Sequence, residues 1–477
     1  VEVKGLRAFL HRSADGTLNL AKLIPEKKEP RKPPPEFRGE VRVDDLELYY
    51  QDDGLGAEGQ RPFSKRATFQ SLPAHFARFP QVRFARQGAC PDGTLQEVQA
   101  HGTADIETMA VQATLALVGL DLASWTKIAP LPTGFHVERG RVTVTTTLDL
   151  AKAADGQTIQ YDTHVSSPGF SLLTPPAELS LISTELTLTA RGTVSLPARR
   201  SPADSPSRLQ ATCSATLDTQ LSEVGAVRVV ADVDTRAGAI VGSARLPAIA
   251  CRHWLQTRNA NKAVRLAAGT ADLDTNYEVQ FGGASPSVLL DGTLRFADGQ
   301  LQPRGIRRTV SALNTAVKYN VRLDLGPSFA VSGTARARGS FAEYPYYEAQ
   351  GNFDSRGQSF TGRVRLDDVN VPGAVWLVRS PPAFQADASR VSLDVGIQID
   401  QLAGKPRIGY RGRVALAGVS GRAPSLRRPL PRLDADLRVD GRATLGRAPV
   451  VVARVTSAQS VRGLGKLAVE ASYTREG

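Results

Sequence analysis

The sequence predicts an all-β chain: a long, strongly curved antiparallel sheet with a few short helices. Three observations carry this. Apolar and polar residues alternate with period two across most of the 477 residues. In "VERGRVTVTTTLDL" (137–150), Val142, Val144, Leu148 and Leu150 point one way and Thr143, Thr145, Thr147 and Asp149 the other. Composition suits strands and turns, with 42 Gly, 30 Pro and a single Met beside a branched, Thr-rich remainder. Helical periodicity is scarce, and the alternating runs are parted at roughly 8–12 residues by turn signals such as "SADGT", "LDGT", "SRGQ" and "AGK".

Curvature follows from length. About 30 strands at ~4.8 Å spacing run roughly 140 Å, and open sheets seldom exceed about ten strands without curling or splitting. A compact sandwich needs large core residues on two facing sheets. The apolar positions here are Val, Leu and Ala, with little Phe or Met.

The elements follow in order. Residues 1–36 hold amino-terminal strands ("VEVKGLRAFLHR") and enter a proline-rich charged linker, "LIPEKKEPRKPPPEF", at 23–37. A first groove segment, 37–124, contains "VRVDDLELYY" and "ATLALVGLDL". Three repeats of one plan succeed it at 125–253, 254–375 and 376–477, the last incomplete. Their mark is the only three tryptophans, Trp125, Trp254 and Trp376, spaced 129 (254 − 125) and 122 (376 − 254) residues apart. Each follows a strand and precedes another, and the Trp segments read as a short helix or lid. These side chains either plug a sheet edge or cover the groove mouth. A second exposed loop of the linker type is "LPARRSPADSPSRL" (196–209).

Charge and motifs exclude more than they assign. The formal charge is +12, but the cations are scattered along strands and interleaved with Asp, without the aromatic-lined stripe of a nucleic-acid binder. A solvated strand face or an anionic lipid surface accounts for them better. Cys90, Cys213 and Cys251 lack zinc-site spacing and form no disulfide framework. "GLGAEG" (54–59) matches a dinucleotide fingerprint in letters only, since Pro62 and no helix follow. Six dispersed histidines form no metalloprotease motif, and "RGLGKLA" is no phosphate loop. Asp52–Asp53 and Asp367–Asp368 are adjacent pairs whose members face opposite ways on a strand, and turn duty is the expected role. No catalytic constellation, cofactor or metal site is assigned. The opening residues already read as a strand, so the chain is expected to be a middle or trimmed region, without a signal peptide or a membrane-spanning run.

"VKGLRAFLHRSADGTLNLAKLI" (3–24), with Asp15, Gly16, Asn19 and Leu20 in a recurring ladder, resembles the AsmA/TamB-like family of bacterial envelope proteins, as does "FRGEVRVDDLELYYQDDG" (37–54), with Tyr50 and Asp52. "LALVGLDLASWTKIAPLPTGFHVERGRVTV" and "LLDGTLRFADGQL" are similar to its repeating strands. The resemblance implies a half-tube with a hydrophobic concave side, in the periplasm of a diderm bacterium. It implies a bridge between inner and outer membranes that carries phospholipid and supports outer-membrane assembly. The inner-membrane anchor, and the carboxy-terminal region that would meet an outer-membrane β-barrel partner, are expected to lie beyond this chain.

The residues expected to line the groove are Val142, Val144, Leu148, Leu150, Val227, Val229, Val233, Val321, Leu323, Val364, Leu366, Val391, Leu393, Val395, Ile397, Leu433 and Leu437. Trp125, Trp254 and Trp376 are the candidate covers. The energetic reason is that a tail of about 15 methylenes costs on the order of 12 kcal/mol in water, which a continuous apolar groove largely removes. Two other readings stay open: a structural β-solenoid or adhesin-like filament whose apolar face is ordinary core, and an enzyme on a β scaffold.

Overall fold

A computed structural model describes residues 2–13, 19, 38–53, 63–78, 80–125, 136–153, 156–174, 179–197, 210–222, 224–250, 264–281, 286–303, 310–325, 329–341, 344–370, 385–401, 406–422, 430–444, 450–457, 459–460 and 465–474. Nearly all of these lie in strands, as the alternation predicts. The chain divides into two units, Val1–Ala239 and Ile240–Gly477.

The first unit holds β1 (Glu2–Lys4), β2 (Arg7–Arg12), β3 (Gly39–Asp52), β4 (Phe63–Arg78), β5 (Gln81–Ala89), β6 (Glu97–Asp105) and β7 (Ala110–Asp121). A one-turn helix α1 (Leu122–Trp125) leads to β8 (His136–Ala153), β9 (Gly156–Ser167), β10 (Phe170–Thr174), β11 (Leu179–Pro197), β12 (Gln210–Leu221) and β13 (Gly225–Asp234). From β3 to β9 each strand pairs antiparallel with the next. The short β10 continues β9 in the gap between β8 and β11. β1 and β2 depart from the expected antiparallel pattern, because both pair parallel with β3. The 26-residue connection at 13–38 permits this, since a parallel pair needs a long crossover.

The second unit holds β14 (Ala239–Ala250), β15 (Val264–Gln280), β16 (Ser287–Pro303), β17 (Val310–Asp324), β18 (Ala330–Phe341) and β19 (Tyr344–Asp354). It continues with β20 (Ser359–Asn370), β21 (Gln385–Asp400), β22 (Arg407–Arg422), β23 (Leu430–Thr444), β24 (Val450–Ser457) and β25 (Ala468–Thr474). From β15 to β25 every pairing is antiparallel and between sequence neighbours. This is a pure meander.

Two sequence readings are corrected. "LDGT" (Leu290–Thr293) is not a turn but the middle of β16, with Gly292 opposite Thr275 on one side and Tyr319 on the other. The aspartate pairs are not turns either. Asp52 closes β3, fully buried, and Asp368 is a bulge in β20 with φ 57°, at the register break between Leu366 and Val369.

Bulges recur. Ala248, Asp298, Asp368 and Gly418 all take positive φ within strands. In each case the displaced backbone N–H donates to a side chain of the next strand. Ala248 donates to Asp272 Oδ1 (2.7 Å), Asp298 to Asn314 Oδ1 (3.0 Å), Asp368 to Ser392 Oγ (3.1 Å) and Gly418 to Asp434 Oδ1 (2.6 Å). An extra residue bends its strand and increases local twist, and the side-chain acceptor satisfies the amide that leaves the ladder.

Candidate functional site

Residues directly paired across a ladder share a face, so the registers trace the dry side of each sheet. In the second unit one row crosses eleven strands: Leu273, Leu294, Val317, Ala337, Ala349, Val364, Val395, Gly412, Val439, Val455 and Val469. In the first unit a row runs Val98, Leu117, Val144, Val165, Leu188, Leu217 and Val229 through seven strands. No charged residue interrupts either row.

All seventeen expected lining residues fall on these faces. Val142, Val144, Leu148, Leu150, Val227, Val229 and Val233 join the first unit's rows. Val321, Leu323, Val364, Leu366, Val391, Leu393, Val395, Ile397, Leu433 and Leu437 join the second's. Of the seventeen only Val142, at 5%, and Val395, at 9% exposure, are buried, and the others stay half-exposed. An ordinary sandwich core would bury most of them. Thr146 and Thr163 also lie on the dry face, where each hydroxyl satisfies the other at 3.1 Å.

The sequence reading missed the aromatic residues of this face. Tyr161 lies over Gly192, Tyr319 over Gly292, Tyr410 over Gly441 and Phe360 against Gly351 and Gly362. A Cβ on Gly192 would stand 2.6 Å from the Tyr161 hydroxyl, and one on Gly292 2.7 Å from that of Tyr319. The ring fills what the glycine leaves empty and covers the exposed backbone. Burial and the Cys213 thiol push the Tyr161 phenol up to about 12. The available signal was a glycine inside an alternating run, which marks close approach rather than a turn. Farther along, Phe341 packs on Tyr344 (4.7 Å) and Tyr347 (5.7 Å), and Tyr344 is only 2% exposed.

At the β2–β5 end the dry face closes with charge. The Tyr50 hydroxyl donates to Asp52 Oδ2 at 2.6 Å, and Arg12 Nη1 reaches the same oxygen at 3.2 Å. Lys65, opposite Tyr50, donates to Asp92 (2.7 Å) and Thr94 (3.0 Å). Burial raises the Asp92 carboxyl, but Lys65 and the Thr94 hydroxyl and amide outweigh it and hold it at about 2. Asn19, from the ladder that carries the family resemblance, accepts from the His11 amide (3.0 Å) and donates to the Phe9 carbonyl (2.7 Å). It takes the place of a partner strand on the outer edge of β2. These groups satisfy one another at the end of the sheet.

Trp125 ends α1, while Trp254 and Trp376 lie outside the described residues, as do Cys251, Asp15, Gly16 and Leu20. Cys90 and Cys213 are free thiols. Among the described residues no cluster of His, Cys, Asp and Glu has metal-site geometry, and no helix is long and apolar enough to cross a membrane.

Comparison with protein-family models, curated proteins and solved structures returns no match. Among the described residues, the partly exposed apolar face is the extended feature of the chain.

Proposed function

We propose that the apolar face is a groove lining that carries phospholipid acyl chains. The observation that carries this reading is the uncharged row from Leu273 to Val469, apolar yet left half-exposed along much of its length. Bulges in several strands supply bending of the kind a half-tube needs. A row of this sort shelters methylenes at about 0.8 kcal/mol each without a specific pocket. On this reading the protein performs no chemistry and needs no cofactor.

The AsmA/TamB-like resemblance extends the proposal. The chain is a segment of a periplasmic bridge between the inner and outer membranes of a diderm bacterium. It supports outer-membrane assembly, with an outer-membrane β-barrel as partner of the full-length protein.

Photo-crosslinking amino acids at Val144 and Val395, against Thr145 and Asp394 one step along the same strands, test the proposal. Phospholipid is expected on the first pair alone. Equal capture from both faces, or none from either, overturns it and leaves a structural filament as the better account.

A further inference from the structure

The two units carry very different charge. Val1–Ala239 has 26 Lys and Arg against 28 Asp and Glu, a net of −2, whereas Ile240–Gly477 has 33 against 19, a net of +14. The polar strand faces differ accordingly. On β8 and β11 the outward positions are mostly Thr: Thr143, Thr145 and Thr147, then Thr187, Thr189 and Thr193. On β16–β22 they are largely Arg, among them Arg295, Arg336, Arg338, Arg363, Arg365, Arg411 and Arg413.

A concavity of about 660 Å³ opens on this polar face between β14 and β19. A twisted sheet is saddle-shaped, so the face opposite a groove has hollows of its own. Four cations line it, Arg245, Arg295, Lys318 and Arg336, against two carboxylates, Asp274 and Asp291. Arg245 approaches Asp274 at 3.4 Å and Arg336 pairs with Glu348. Among the described residues Arg295 and Lys318 form no ion pair. The remaining wall is amide and hydroxyl, with Asn352, Asn276 and Thr334 exposed, and Asn320 donating to Asp291 at 2.9 Å.

We propose that this concavity is a binding site for an anionic oligosaccharide, one bearing phosphate or uronate groups, with a single charged sugar seated between Arg295 and Lys318. The free cations supply charge-assisted hydrogen bonds to the anion. The amides donate and accept and the carboxylates accept, which suits ring hydroxyls; the acceptors would be wasted on phosphate, an acceptor alone. The aromatic residue among the lining, Tyr319, turns its ring to the dry face over Gly292, so stacked nucleic-acid bases lack a platform in the hollow. A flat bilayer surface would need the cations but not the hollow.

The test uses the full chain on immobilised oligosaccharides that carry phosphate or uronate, each beside its neutral form, with polyuridylate and phosphatidylglycerol vesicles as rivals. At least one acidic oligosaccharide should bind tenfold or more tightly than its neutral form and than either rival. Lys318→Gln and Arg295→Gln should each weaken it about tenfold, the worth of one charge-assisted hydrogen bond. Asn352→Ala should weaken it about threefold with unchanged salt dependence, and Arg228→Gln on the first unit should leave it as it was. When the same glycan is borne on a lipid in vesicles, free glycan should compete for the site. Failure of every acidic oligosaccharide to bind overturns the proposal. So does equal binding of polyuridylate or plain vesicles, or lipid-borne capture that free glycan does not displace.

Discussion

Arg363 and Asp394 meet across the β20–β21 ladder in a two-pronged ion pair, Nε to Oδ1 and Nη2 to Oδ2, each at 2.6 Å. Arg413 and Asp436 form the same fork across β22–β23. The hydrogen bond from Arg363 holds the Asp394 carboxyl below its ordinary value, and Arg413 does the same for Asp436. Tyr346 and then Arg338 lower Glu348.

Depressed carboxylates stabilise the fold above their ordinary titration range, near pH 4, and lose that contribution as pH falls through the depressed values. The melting temperature should therefore fall as pH drops below about 4, modestly for each of these surface pairs. Asp92, at about 2, extends the loss to the acid limit. Replacing both partners, in Arg363→Gln with Asp394→Asn, should flatten the profile below about pH 4. A profile identical to the unsubstituted chain would show that the pair contributes nothing.

Val395 is 9% exposed and sits between Val364 and Gly412 on the dry face. Val395→Asp places an unpaired charge there and should cost several kcal/mol, about 3 or more. Thr361→Asp, on the polar face of the neighbouring strand, should stay within about 0.5 kcal/mol. Chemical denaturation measures both. Similar costs would mean that the two faces do not differ in solvation.

Gly292→Ala puts a Cβ 2.6 Å from the Asp274 carbonyl oxygen as well as against the Tyr319 ring. Backbone cannot step aside, so overpacking should cost about 1–3 kcal/mol. Tyr319→Leu combined with it should recover only part of the loss, as a double-mutant cycle would read out. Full recovery would assign the strain to the ring alone.

Asp434→Ala removes the acceptor of the Gly418 amide at the β22 bulge. The cost should be about 0.5–1.5 kcal/mol, with faster hydrogen exchange at Gly418. Unchanged exchange would show that water serves that amide equally well.

The period-two pattern made the fold class legible, because each strand's alternation reports its own two faces without reference to any partner. It also places Val144 and Val395 each on one face with the apolar residues of the neighbouring strands, as the ladder registers have them. What it misplaced were "LDGT" and the aspartate pairs, where the same letters serve a turn, a bulge or a strand interior. Only cross-strand neighbours decide among these: Tyr319 beside Gly292, Ser392 beside Asp368, Arg12 beside Asp52. The parallel pairing of β1 and β2 was hidden for the same reason, since a strand's sequence does not encode the direction of the chain beside it. The scattered cations looked like a solvated surface along the chain. Tertiary structure alone gathered Arg245, Arg295, Lys318 and Arg336 around one hollow, because strands spaced ~4.8 Å apart bring together side chains that lie far apart in sequence.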